Sequence, residues 1–149
     1  MRRAIIAVTA ILLVTSITSL PSSGQNSRTW EKFPRVVATV RLFRQTGPIS
    51  PTKIFVPKKF GVYRLSAIGV VTLANGQNAN WNTIFQWTDG GGKESTQCLT
   101  LPTEKTGSSS CSSFALRDLK ANSLTYSVTQ SGDTSGSRYN LFIVVEQIM

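Results

Sequence analysis

Residues 51–73 read Pro-Thr-Lys-Ile-Phe-Val-Pro-Lys-Lys-Phe-Gly-Val-Tyr-Arg-Leu-Ser-Ala-Ile-Gly-Val-Val-Thr-Leu. Ile54, Phe55 and Val56 are β-branched or aromatic and suit a half-buried pleated strand. Pro57 has no amide donor and closes that strand. Gly61 lets the chain turn and start again after Lys58-Lys59-Phe60. From there to Leu73 only Gly69 interrupts a long strand. Tyr63, Leu65, Ala67, Gly69, Val71 and Leu73 share one face, which is apolar apart from a phenol hydroxyl. Val62, Arg64, Ser66, Ile68, Val70 and Thr72 share the other, which is mixed. A short strand, a proline-led turn and a long alternating strand set an all-β reading for the rest.

Working outward, the same period recurs. Arg35 to Gln45 is a first strand, with Val36, Ala38, Val40 and Leu42 on one face and Val37, Thr39, Arg41 and Phe43 on the other; Thr46-Gly47-Pro48 breaks it. Asn75-Gly76 marks a turn after the long strand. Thr83 to Asp89, Thr96 to Leu101, Cys111 to Arg117, Ser123 to Gln130 and Arg138 to Gln147 supply five more strands. Gly90-Gly91-Gly92, Thr106 to Ser110 and Ser131 to Ser137 are the loops between them. No segment has helical periodicity. Eight short strands predict a two-sheet antiparallel sandwich, a jelly roll in preference to an immunoglobulin-like sandwich. The last strand carries Tyr139, Leu141, Ile143 and Val145 on one face and Asn140, Phe142, Val144 and Glu146 on the other. Both faces are apolar in the middle, where an open sandwich has one wet face. That predicts cover from another subunit, with a covering loop or the N-terminal arm as the competing cover.

The N-terminus reads as an export signal. Met1-Arg2-Arg3 is a basic start, Ala4 to Leu20 an apolar run, and Ser22 and Gly24 are small residues at the positions a signal peptidase reads. The expected boundaries are a signal peptide over 1–24, a loose arm over 25–34 tied down by Trp30 and Phe33, and one sandwich domain over 35–149. The competing reading, an uncleaved anchor, would need the 17-residue run to span a bilayer, at the short end of what a helix needs. The mature protein is then secreted or periplasmic and spans no membrane. Cys98 and Cys111 are the two cysteines of the chain, and an even count in an exported protein predicts a disulfide.

The chain carries a net charge of +9. Nine of its cations lie in residues 28–64 against a single acid, Glu31. A one-sided basic field favours anionic surfaces such as envelope lipid or acidic polysaccharide, with Arg41, Arg44, Lys53, Lys58, Lys59 and Arg64 as the candidate patch; plain solubility is the alternative. Specific nucleic-acid binding is not expected, because the nearby aromatics look like core or turn residues.

Phe55-Val56-Pro57, Gly61-Val62-Tyr63-Arg64-Leu65-Ser66 and the closing strand from Tyr139 to Glu146 resemble the tumour-necrosis-factor and complement globular-head jelly rolls. Together with Trp87-Thr88-Asp89-Gly90 they also resemble a group of uncharacterised secreted bacterial proteins. The resemblance covers roughly 51–146. It implies a jelly roll and a trimer whose core includes the last strand, with Tyr139, Leu141, Phe142, Ile143 and Val144 as interface candidates. It brings no catalytic residue.

The chemistry is sparse. The chain has no histidine, which removes the commonest general base and imidazole metal sites. Two cysteines alone do not make a structural zinc site. Asp89 and Glu146 are the carboxylates at strand ends that a glycosidase pair would have to use. Gly90-Gly91-Gly92-Lys93 lacks the spacing and helix of a phosphate loop. No cofactor and no metal are expected. The leading expectation is a secreted, non-enzymatic, oligomeric interaction module. Trp81, Trp87 and Asp89, with Asn78, Asn80 and Asn82 near them, have the aromatic and amide character of a sugar site; the preferred reading of the rings is that Trp87 is core and Trp81 a loop anchor, and a carbohydrate-binding protein is the second expectation. An adhesin- or pilus-like sandwich subunit is the third.

Overall fold

A computed structural model describes residues 34–58, 61–116 and 123–148. The expected signal peptide, nearly all of the arm, and Lys59 lie outside the described residues. The described chain is built from eight strands: β1 (Arg35–Gln45), β2 (Ile49–Phe55), β3 (Tyr63–Leu73), β4 (Asn80–Asp89), β5 (Gly92–Pro102), β6 (Gly107–Leu116), β7 (Leu124–Ser131) and β8 (Arg138–Gln147). They form two four-stranded antiparallel sheets, in the orders β1-β8-β3-β6 and β2-β7-β4-β5. Every connection except the β4–β5 hairpin crosses from one sheet to the other. That is the jelly roll. An immunoglobulin-like sandwich would set the first two strands side by side in one sheet, and here they lie in different sheets.

The core is the alternation of the sequence made physical. Tyr63, Leu65, Ala67 and Val71 of β3, and Tyr139, Leu141, Ile143 and Val145 of β8, point into the sandwich and are buried. Trp81 and Phe85 of β4, Leu99 and Leu101 of β5, and Leu124, Tyr126 and Val128 of β7 meet them from the other sheet. Fully burying each large apolar side chain removes enough surface from water to contribute roughly 1.5–3 kcal/mol. Gly69 sits where β5 presses closest to β3. A methyl there would come within 2.6 Å of Leu101 and 2.7 Å of Leu99.

Several local expectations are corrected, each for a nameable reason. The register between β1 and β8 shifts between Val36 and Ala38. This bulge turns Val36 outward and brings Val37 to the core beside Ala38, Val40 and Leu42. A shift between Val71 and Leu73 against β8 ends the inward face of β3 and leaves Leu73 exposed. β2 starts at Ile49, five residues before the β-branched run. It pairs on one side only, with β7, and its register skips Ser50 and Pro51, so the proline needs no ladder partner for its missing N–H. The serine-rich segment expected as a loop tip is strand. Gly107 to Ser110 pair with Val71 to Ile68 of β3, and the β5–β6 turn contracts to 103–106.

The Cys98–Cys111 disulfide forms, with the two Cα atoms 5.4 Å apart. Its placement is more informative than its existence. β5 and β6 are the outer strands of opposite sheets, so the bond clips the two sheets together along one open edge. Cys98 is the extra residue of a bulge against β4, and the β6 register against β3 shifts immediately after Cys111. Bulges re-aim side chains in this way.

Candidate functional site

Of the three residues weighed for a sugar site, Trp87 and Asp89 come together and Trp81 does not join them. Trp81 is 1% exposed. Its ring packs on Tyr139 with centroids 5.0 Å apart, and its Nε1 donates to the Ser137 hydroxyl at 2.9 Å. Ser137 in turn donates to the Thr134 carbonyl at 2.7 Å. Trp81 thus pins β4 to the β7–β8 loop and offers no surface to a ligand. Trp87 lies at the other end of β4, roughly 20 Å away at ~3.3 Å per strand residue. It is half-buried against the core, and its Nε1 faces Asp89 Oδ2 at 3.4 Å. Asp89 Oδ1 accepts from the Gly91 N–H at 2.8 Å, so this carboxylate caps the β4–β5 hairpin. Asn82 Oδ1 accepts from Gln97 and Thr100 across the outer face of the same sheet.

The two carboxylates of the glycosidase idea are also apart. Asp89 belongs to the β2-β7-β4-β5 sheet and Glu146 to the other. Glu146 accepts from Arg64 Nε at 2.7 Å. That hydrogen bond and charge raise the Arg64 pKa further above its ordinary value. Among the described residues no group of three His, Cys, Asp or Glu side chains is placed to hold a metal ion. No helix among them is long and apolar enough to cross a membrane.

The face that stands out is the outer side of the β1-β8-β3-β6 sheet. Its rows follow from the register. Arg41, Phe142, Ile68 and Ser110 lie across the four strands in one row. Thr39, Val144 and Ser66 form the next row, and Asn140, Val70 and Ser108 the row on the other side. Phe43 packs edge-on against Phe142 with centroids 5.4 Å apart and is still 57% exposed, with Ile68 at 50%. Phe142, Val144 and Val70 are half-buried. Of the five interface candidates, Tyr139, Leu141 and Ile143 are fully enclosed by their own chain and have no surface left for a partner. Phe142 and Val144 are on this outer face.

The basic candidates divide between the sheets. Arg41, Arg44 and Arg64 sit on or beside this outer face, Lys53 is on β2 of the other sheet, and Lys58 is exposed in the β2–β3 connection. The charge along residues 28–64 is evident in the sequence, and the described part of it is carried by strands of both sheets.

At the end of the outer face lies a cleft of about 600 Å³ lined by Phe43, Arg44, Thr72, Leu73, Arg138 and Asn140. Arg44 adopts φ +54° at a register shift between Leu42 and Gln45, and its backbone N–H donates to Asn140 Oδ1 at 2.8 Å. Arg138 lies outside the basic half of the sequence, residues 28–64. Nothing in its own sequence neighbourhood marks it; β8 pairing brings it there.

No protein-family model matches the chain, and no curated protein matches it. Among solved structures it is similar to the VP2 subviral particle of infectious bursal disease virus, at 12% identity and a TM-score of 0.44, over 95% of this chain and 37% of that one. The Gx strain of the same virus gives 12% identity and a TM-score of 0.41, over 93% and 36%. Eiger TNF from S. frugiperda gives 18% identity and a TM-score of 0.40, over 78% of this chain and 90% of that one. The chain spans little more than a third of the viral proteins it matches. None of these three is a secreted bacterial protein.

Proposed function

We propose that this chain is an exported, non-enzymatic jelly-roll module that assembles with copies of itself through the outer face of the β1-β8-β3-β6 sheet. The observation that carries the reading is the run of Phe43, Phe142 and Ile68 across that face, with Phe43 and Ile68 at least half exposed. An open sandwich keeps such a face polar, and a contiguous exposed apolar patch marks an interaction site. The sequence resemblance, in which the closing strand builds a trimer core, adds the expected copy number. Export follows from the N-terminal signal pattern, and the Cys98–Cys111 bond suits an oxidising compartment. The non-enzymatic reading rests on the absence of histidine and on the separation and engagement of Asp89 and Glu146. The carbohydrate reading through Trp81, Trp87 and Asp89 loses its support with the burial of Trp81. The immunoglobulin-like adhesin reading loses its support with the strand order.

The test is sedimentation equilibrium of the mature protein and of Phe142→Glu. Burying an unpaired carboxylate at the contact is costly enough to separate subunits. The wild type is expected as an oligomer and Phe142→Glu as a folded monomer with an unchanged circular dichroism spectrum. A wild-type monomer at tens of micromolar would overturn the reading and leave the arm as the cover.

A further inference from the structure

We propose that the cleft between the ends of β1, β3 and β8 binds the sulfate or carboxylate groups of an acidic glycan. The cleft adjoins the proposed assembly contact and shares Phe43 with it, but the inference does not rest on the assembly reading.

The cleft is a surface of hydrogen-bond donors. Arg44 and Arg138 both line it. Among the described residues neither guanidinium has a hydrogen bond or ion pair, while Arg64 on the same face is matched by Glu146. Asn140 adds a third donor. Its Oδ1 is taken by the Arg44 N–H, which fixes the amide orientation and leaves Nδ2 as a donor. The Thr72 hydroxyl donates to the Arg138 carbonyl at 3.3 Å. Among the described residues no carboxylate lines the cleft. Guanidinium forks match the planar oxygens of carboxylate and the oxygens of sulfate, and hold them with charge-assisted bonds.

The backbone strengthens the case. A non-glycine residue at φ +54° is uncommon. Such strain persists where surrounding structure holds it, and it clusters at ligand sites. Here the bulge and Asn140 hold Arg44 in place beside Arg138. The remaining walls are Phe43, pinned by Phe142, and Leu73, both exposed. One exposed ring beside donors suits the C–H face of a sugar. There is no run of rings on which successive bases would stack, as a nucleic-acid groove has. At about 600 Å³ the cleft falls within the ~300–1,000 Å³ of small-ligand sites, with room for more than a bare anion.

The experiment is calorimetric titration of the mature protein with a heparin-derived octasaccharide at fixed salt. The variants are Arg44→Ala/Arg138→Ala, Asn140→Asp, and the charge-matched control Lys93→Ala/Lys105→Ala. Wild type is expected to bind. The arginine double should bind at least about tenfold more weakly and the lysine double within about twofold, because truncating a charge-assisted contact costs far more than removing a remote charge. Asn140→Asp keeps an acceptor for the Arg44 N–H and places a negative charge in the cleft, so it should also lose binding while melting normally. Sedimentation masses unchanged from wild type would separate this outcome from any failure of assembly. Equal losses in the two doubles would reduce the effect to net charge and overturn the site, as would no wild-type binding. Tighter binding to an anionic phospholipid vesicle or a single-stranded oligonucleotide, abolished by the arginine double, would overturn the glycan assignment.

Discussion

Arg44 shows how a single residue can carry information that side-chain type does not. As a cation among cations it was legible in the sequence. Its left-handed backbone was not, because the bulge that imposes it depends on β8 lying alongside. A left-handed φ costs an L-residue about 1–2 kcal/mol relative to the usual regions, while glycine within a strand costs about 0.5–1 kcal/mol. Arg44→Gly is therefore expected to hold or raise stability by up to about 1 kcal/mol, and Arg41→Gly, three residues earlier in regular strand, to lower it by about that amount. Urea midpoints of the two variants check this; a loss at Arg44→Gly equal to that at Arg41→Gly would mean that the backbone there is unstrained. Trp81 teaches the opposite lesson. It looked like ligand dressing by type, but the alternation that puts Phe85 in the core puts Trp81 there as well. Parity was the better guide.

At the scale of elements, the bounds of β1 and β8 were legible to the residue, and β8 alternates as the pattern predicts, while the bulge after Val36 reverses the start of β1. β6 was half legible. Glycine and serine have little strand preference of their own, and pairing with β3 overrides that. The Cys98–Cys111 bond holds this outer strand to the opposite sheet. Cys98→Ser with Cys111→Ser is expected to lower unfolding stability by ~3 kcal/mol, the loop-closure value for a bridge of this span. Hydrogen exchange should show the loss of protection starting in β6; uniform loss over β8 and β3 as well would mean that the bond supports the whole sandwich directly. Gly69 is a second constraint on the same side. Its hydrogen faces the terminal methyls of Leu99 and Leu101, both buried, and overpacking of a buried layer costs typically ~1–3 kcal/mol. Gly69→Ala should fall in that range by denaturant midpoint, and Gly47→Ala, where nothing lies within 4 Å, should be nearly neutral.

For the whole molecule, the number of strands and the apolar faces were written locally, while the order of the strands depends on contacts far apart in the chain. That is why the jelly roll could be favoured from the sequence and the immunoglobulin alternative left open until β1 and β2 were seen in different sheets. The cooperativity of those sheets can be read through the tyrosines. The chain has three, all buried: Tyr63 and Tyr139 in one sheet, Tyr126 in the other. Burial raises the pKa of each, most strongly for Tyr139, whose hydroxyl also donates to the Gly47 carbonyl at 3.0 Å. A folded pKa raised above the unfolded value of ~10 means that the native state is favoured fully below that pH. The advantage is lost as pH rises through the folded values, because the unfolded chain gives up its phenol protons first. None of the three is expected to ionise near pH 10 in the native protein. Phenolate absorbance at alkaline pH should appear in one step, coincident with loss of the near-ultraviolet circular dichroism of the tryptophans. A phenolate signal preceding that loss would mean that a tyrosine is reached by solvent in the folded state. Two separated steps would show that the sheets come apart independently, and the sandwich would then lack the single cooperative core that these packed rings imply.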